Sequence, residues 1–215
     1  MKTLLTLIFA SAVLSATAAE TAPAPSCCAP APAAPVAFAK PSCCVEEKPA
    51  APLTDKSLYQ LNSTWTNDAG SSVALTTLRG RPVLLAMFFA SCEYACPVLV
   101  HDMKRLEAAI PEEVRGNVQL VLVTFDTKRD TPPALRAFRE RMEVGPKWTL
   151  LTSTPAAVQE LAMLLGVKFK QDNRGQFAHS NLITVLNAEG EVAHQHAGLH
   201  GDVSTAAKVV AQLPR

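Results

Sequence analysis

Two apolar runs constrain this chain more than any other feature. Val83-Leu84-Leu85-Ala86-Met87-Phe88-Phe89 is apolar at every position, and Val118–Phe125 is nearly so. A half-exposed strand alternates apolar and polar residues, so continuous runs of this kind belong to strands covered on both faces. Between them Leu99, Met103, Leu106 and Ile110 recur at helical spacing with charges in between, so the connection reads as a helix. A buried strand, a helix and a second buried strand predict an α/β sheet.

The rest of the globular part extends that pattern. Trp65 to Leu78 reads as an N-terminal β-hairpin turning at Asp68-Ala69-Gly70, and a helix with Leu135, Phe138 and Met142 follows Pro132. Thr131 or Asp130 is its expected cap. Trp148–Leu151 is a short strand, and Thr154-Pro155 opens a helix with Val158, Leu161 and Leu165. Asn181–Leu186 and Glu191–His194 form a hairpin across Asn187-Ala188-Glu189-Gly190, and a last helix spans about 203–213. The closing hairpin makes the expected central sheet mixed, with helices flanking it.

The N-terminal third is different material. Lys2, the apolar stretch from Leu4 to Leu14 and Ala16-Thr17-Ala18-Ala19 form a signal-peptide pattern over residues 1–19. The alternative, an uncleaved membrane anchor, is disfavoured because the stretch is short for a span. Residues 20–54 are rich in Pro and Ala, with eight prolines from Pro23 to Pro52, and read as an extended linker. Residues 55–215 then form one domain with a sizeable core. The chain carries 20 Lys+Arg and 19 Asp+Glu; loss of Lys2 leaves 19 of each. So even a balance argues against nucleic acid or an anionic membrane as partner. Export would put the mature chain, soluble after cleavage, in a periplasmic or other oxidising space where disulfides can persist.

Chemistry concentrates where the first buried strand ends, in Cys92-Glu93-Tyr94-Ala95-Cys96-Pro97. Pro97 suits the first position of a helix. In open α/β sheets ligands gather beyond the carboxyl ends of strands, and a thiol at a helix N-terminus is favoured as thiolate. Two such thiolates suit Cu(I), or act as a redox couple. His179 lies just before the strand at Asn181 and would supply an imidazole to a two-Cys, one-His site. Asp126 closes the second buried strand and could orient a ligand from behind. Cys27-Cys28 and Cys43-Cys44 repeat Ser-Cys-Cys inside the linker. Adjacent Cα atoms lie too close for ordinary disulfide geometry, so these four thiols are candidates for accessory copper. His194, His196 and His200 are a weaker metal candidate, and His101 is expected on the surface.

Cys92-x-x-x-Cys96-Pro97, Thr124-Phe125-Asp126-Thr127-Lys128-Arg129-Asp130-Thr131-Pro132 and His179-Ser180, in that order, resemble the Sco/SenC family over residues 60–213. The resemblance implies a thioredoxin-like three-layer fold and copper, as Cu(I) or Cu(II), held by Cys92, Cys96 and His179. It matches Asp126 to the family's aspartate. It further implies a copper client, such as the copper-bearing subunit of cytochrome c oxidase, and a periplasmic copper donor. Two positions depart from the family pattern. Glu93 follows the first cysteine where many members have proline, and Ala178 precedes the histidine where many have aspartate. Glu93 or solvent could add an oxygen to Cu(II). A thiol-disulfide reductase acting through Cys92 and Cys96 is the rival reading. Against it stand the three-residue spacing and the absence of a proline between Pro155 and Pro214. A periplasmic copper sensor or buffer is the third.

Overall fold

In a computed structural model, residues 52–214 are described. The proposed signal segment and nearly all of the linker, with Cys27, Cys28, Cys43 and Cys44, lie outside them. The strands are β1 (Thr64–Asn67), β2 (Ser72–Ala74), β3 (Val83–Phe88), β4 (Gln119–Thr124), β5 (Trp148–Thr152), β6 (Phe169–Gln171), β7 (Phe177–His179), β8 (Leu182–Leu186) and β9 (Val192–Ala197). The helices are α1 (Ala95–Ala109), α2 (Glu112–Arg115), α3 (Pro132–Arg141), α4 (Pro155–Leu165) and α5 (Ser204–Gln212). Seven strands form one mixed sheet in the order β2-β1-β5-β4-β3-β8-β9, while β6 and β7 pair only with each other.

The two apolar runs are the central strands β3 and β4. They run parallel from Val83↔Gln119 to Phe88↔Thr124, and β3 is buried at every position. Right-handed crossovers from β3 to β4 and from β4 to β5 move in the same direction across the sheet, which puts α1 and α3 on one face. The Lys104 ammonium of α1 donates to the Met142 carbonyl just past α3 at 2.8 Å, and α5 packs on α1. The opposite face is left to α4. The result is the thioredoxin-like three-layer arrangement with a mixed sheet.

The termini of several elements differ from the sequence expectation. The N-terminal hairpin is short, and Leu75–Leu78 is a 3₁₀ turn rather than its second strand. Leu75 and Leu78 are both buried, and a three-residue repeat brings them to one side where a strand would send them to opposite faces. α1 begins at Ala95, two residues before Pro97, and ends where Pro111 cannot continue it. Pro97 is therefore the third helical residue, still among those whose N–H has no helical acceptor. Thr154 caps α4 as expected, accepting from the Ala157 N–H at 3.3 Å. Thr131 sits at the cap position of α3 with no side-chain bond, and Asp130, the other expected cap, turns inward. Among the described residues no helix is long and apolar enough to cross a membrane.

Candidate metal centre

Strand register assembles the site. β8 runs antiparallel to β3, with Val83 opposite Leu186 and Ala86 opposite Ile183. The start of β8 therefore lies at the end of β3, so the residues entering β8 meet those leaving β3. His179 ends β7, three residues before β8, and Cys92 and Cys96 follow β3. One ligand atom from each of Cys92, Cys96 and His179 lies within 4.8 Å of the others. The Cys96 Sγ to His179 Nε2 separation is 3.9 Å. Bonds of about 2.0–2.3 Å from one ion to three donors in a plane put those donors about 3.7 Å apart, so the group has the span of a three-coordinate site.

His179 is oriented by its own neighbour. Its Nδ1 lies 3.0 Å from the Ser180 carbonyl. A carbonyl can only accept, so Nδ1 carries the proton, and the Nε2 lone pair faces the thiols. The ring is boxed by aromatic groups. Phe125 lies 5.0 Å away and Phe89 meets it edge-on at 5.9 Å. Phe169 stacks on Phe125 at 5.1 Å, and Phe177 packs on both Phe89 and Phe125. Together these rings pack against one side of the imidazole, while Phe89, Phe177 and His179 also line a cavity.

The two thiols are not equivalent. The Cys96 N–H donates to Cys92 Sγ at 3.3 Å, a bond available because Cys96 lies in the first turn of α1. The Cys92 pKa falls to about 3, chiefly through the hydrogen bond from the Cys96 thiol and, against the opposing effect of burial, with help from the His179 ring and then from the Cys96 and Tyr94 backbone N–H groups. The Cys96 thiol is pushed up, first by that same bond and then by burial. The sequence placed the helix-favoured thiolate on Cys96; in the folded chain it resides on Cys92, because Cys96 is the donor. Cys92 is also the accessible thiol, 8 % exposed against 0 % for Cys96. It lines two cavities of about 520 and 500 Å³, the first with Arg141 and Met142, the second with His179. Glu93 is exposed and lines both.

Asp126 is buried beyond β4, but its carboxylate pairs with the Arg129 guanidinium rather than with a thiol. Two contributors were not legible as such in the sequence. Asp130, read there as a helix cap, is 2 % exposed. Its Oδ2 accepts from the Ala90 N–H at 2.8 Å and from the Thr124 hydroxyl, tying the base of the cysteine loop to β4. The second is the β6–β7 hairpin that carries His179, whose strands are three residues each. Its visible trace was the Asp172-Asn173-Arg174-Gly175 turn between Phe169 and Phe177. His194, His196 and His200 do not converge with other ligands; Cys92, Cys96 and His179 form the one such group among the described residues. His101 is exposed, as expected.

A thioredoxin-like domain with two thiols and an imidazole gathered at the end of its central strand defines a metal-handling or thiol-redox protein. Residues 53–214 match the family profile described as SCO1/SenC, and the chain belongs to that family. It is 30 % identical over 142 residues to a candidate copper-binding protein of Stutzerimonas stutzeri, covering 64 % of this chain and 68 % of the relative. Bradyrhizobium japonicum ScoI, solved with copper bound, superimposes with a TM-score of 0.60 at 20 % identity, over 71 % of this chain and 97 % of that one. BsSco, described as a member of the Sco family of cytochrome c oxidase assembly proteins with a disulfide switch, gives 0.58 at 22 % identity, over 70 % and 92 %. These likenesses support the fold.

Proposed function

We propose that this chain is an exported copper chaperone. It holds Cu(I) through Cys92 Sγ, Cys96 Sγ and His179 Nε2 and passes it by ligand exchange to the dinuclear copper site of cytochrome c oxidase. The observation that carries the reading is the convergence of these three soft or borderline donors within 4.8 Å, a set suited to Cu(I). The copper-bound ScoI relative and the assembly role named for BsSco support it. Residues 1–19 act as the signal peptide, 20–54 as the linker and 55–215 as the copper domain, so the mature periplasmic chain would begin at Glu20. Cys27, Cys28, Cys43 and Cys44 would serve as accessory Cu(I) ligands, and Asp126 as a supporting group behind the site.

Titration of the reduced mature protein with Cu(I) against a chelator tests this. With the four linker cysteines changed to Ser, one equivalent should bind tightly at the domain. His179→Ala should weaken it by more than about a hundredfold, the upper end of what loss of an outer-shell partner costs. Unchanged copper affinity in His179→Ala, together with high thiol reductase turnover, would sink the chaperone reading. The reductase is the second reading. It is favoured by the Cys92 pKa of about 3 beside a protonated Cys96, the arrangement of an attacking and a resolving thiol.

A further inference from the structure

The β6–β7 hairpin has no ladder to the main sheet; β6 and β7 pair only with each other. A two-stranded hairpin is marginal by itself, so something outside it must fix where His179 stands. Aromatic packing on Phe89 and Phe125 supplies apolar contact but little direction. Arg129 supplies the direction. The guanidinium Nε donates to the Asp126 carboxylate, and another guanidinium nitrogen donates to the Gly175 carbonyl in the hairpin turn. The Arg129 backbone N–H also donates to Asp126 at 3.3 Å, and its Cζ lies 6.0 Å from the Phe177 ring centre. The turn is shaped around this group. Gly175 has φ +76°, and a Cβ there would stand 3.1 Å from Arg129. Asp126 is 3 % exposed and its own N–H is held by Thr124 at 3.0 Å, so the strut is rooted at the end of β4.

We infer that Arg129 is a positioning residue for the metal centre: braced by Asp126, it holds the Gly175 turn and thereby sets His179 Nε2 against Cys96. It touches no ligand atom. Its role is to decide whether the site offers three donors or two. Lysine cannot replace it, because a single ammonium lacks the planar fork that bonds a carboxylate on one edge and a carbonyl on the other. The inference rests on the copper reading, so its test has one arm with metal and one without.

The full chain is made as wild type, Arg129→Lys, Arg129→Ala, His179→Ala and the Arg129→Lys/His179→Ala double variant. Without metal, hydrogen exchange of residues 169–179 should quicken in both Arg129 variants, while β3 and β4 amides keep wild-type protection. Arg129→Lys keeps a cation beside buried Asp126, so it reads the strut even where Arg129→Ala unfolds. With Cu(I), Arg129→Lys should lose between about tenfold and a hundredfold in affinity, the range for outer-shell partners. The double variant should bind no more weakly than His179→Ala alone, and nitrogen hyperfine coupling in the Cu(II) form should fade in Arg129→Lys. Wild-type hairpin exchange and copper affinity in Arg129→Lys overturn the inference, as does an additive loss in the double variant. If His179→Ala binds copper as wild type does, the copper reading fails, and unchanged hairpin exchange still decides against the strut.

Discussion

Asp130 offers the sharpest test of how the cysteine loop is held. Its Oδ2 accepts from the Ala90 N–H, two residues before Cys92, and from the Thr124 hydroxyl. In Asp130→Ala both donors lose that partner in a site from which water is excluded. The Thr124 oxygen still accepts from the Asp126 N–H at 3.0 Å, so only its proton is stranded. A buried orphaned donor costs about 1–3 kcal/mol. Two donors, less the relief of a desolvated carboxylate, give a loss of about 2–4 kcal/mol. For a domain of this size that is a drop in Tm of about 5–15 °C. Asp130→Asn retains an acceptor for Ala90 and should stay within about 1 kcal/mol of wild type. Burial raises the Asp130 pKa, against the lowering effect of those two bonds. The folded chain then binds a proton more readily than the unfolded one. Its contribution is full below the unfolded carboxylate pKa, and stability falls as pH rises through the raised folded value. Asp130→Asn should remove that slope. Urea melts of the reduced protein from pH 4 upward measure both effects. Equal stability of the Ala and Asn variants at every pH would refute the hydrogen-bond account.

Two further outcomes follow from the same geometry. With Cys92 lowered to about 3, its alkylation by iodoacetamide should stay nearly constant from pH 8 to pH 5. Cys96→Ala removes the thiol donor and should restore a steep fall toward acid; a steep fall already present in wild type would contradict the assignment of the thiolate. Gly190 has φ +82°, and a Cβ there would lie 2.6 Å from the buried Tyr59 ring. Gly190→Ala should therefore cost well over the ~1–2 kcal/mol of left-handed strain alone, seen as a lowered urea midpoint; a change under 0.5 kcal/mol by the same extrapolation would show that the ring yields freely.

The apolar runs and the residues between them determined much of this protein by themselves. A continuous Val83–Phe89 can be satisfied only by burial on both faces, so β3 and its covering helices were fixed locally. The thiols on the turn after it and the Thr154-Pro155 helix start were equally local, since each depends on residues within a few positions. What the tertiary structure alone decided depends on partners far apart in the chain. Antiparallel pairing of β8 with β3 carries His179 to within 3.9 Å of Cys96, across 83 residues. Asp130 looked like a helix cap because a cap needs only its neighbours, yet its carboxylate serves Ala90, 40 residues away. The two thiols are alike in sequence, and only the folded chain, which makes Cys96 the donor to Cys92 and buries Cys96 more deeply, tells them apart. Arg129 meets Asp126 within its own turn, but the Gly175 carbonyl that it also bonds is 46 residues away. Local patterns specify elements because their energetics are local; the site is specified by contacts that exist only once those elements have been packed.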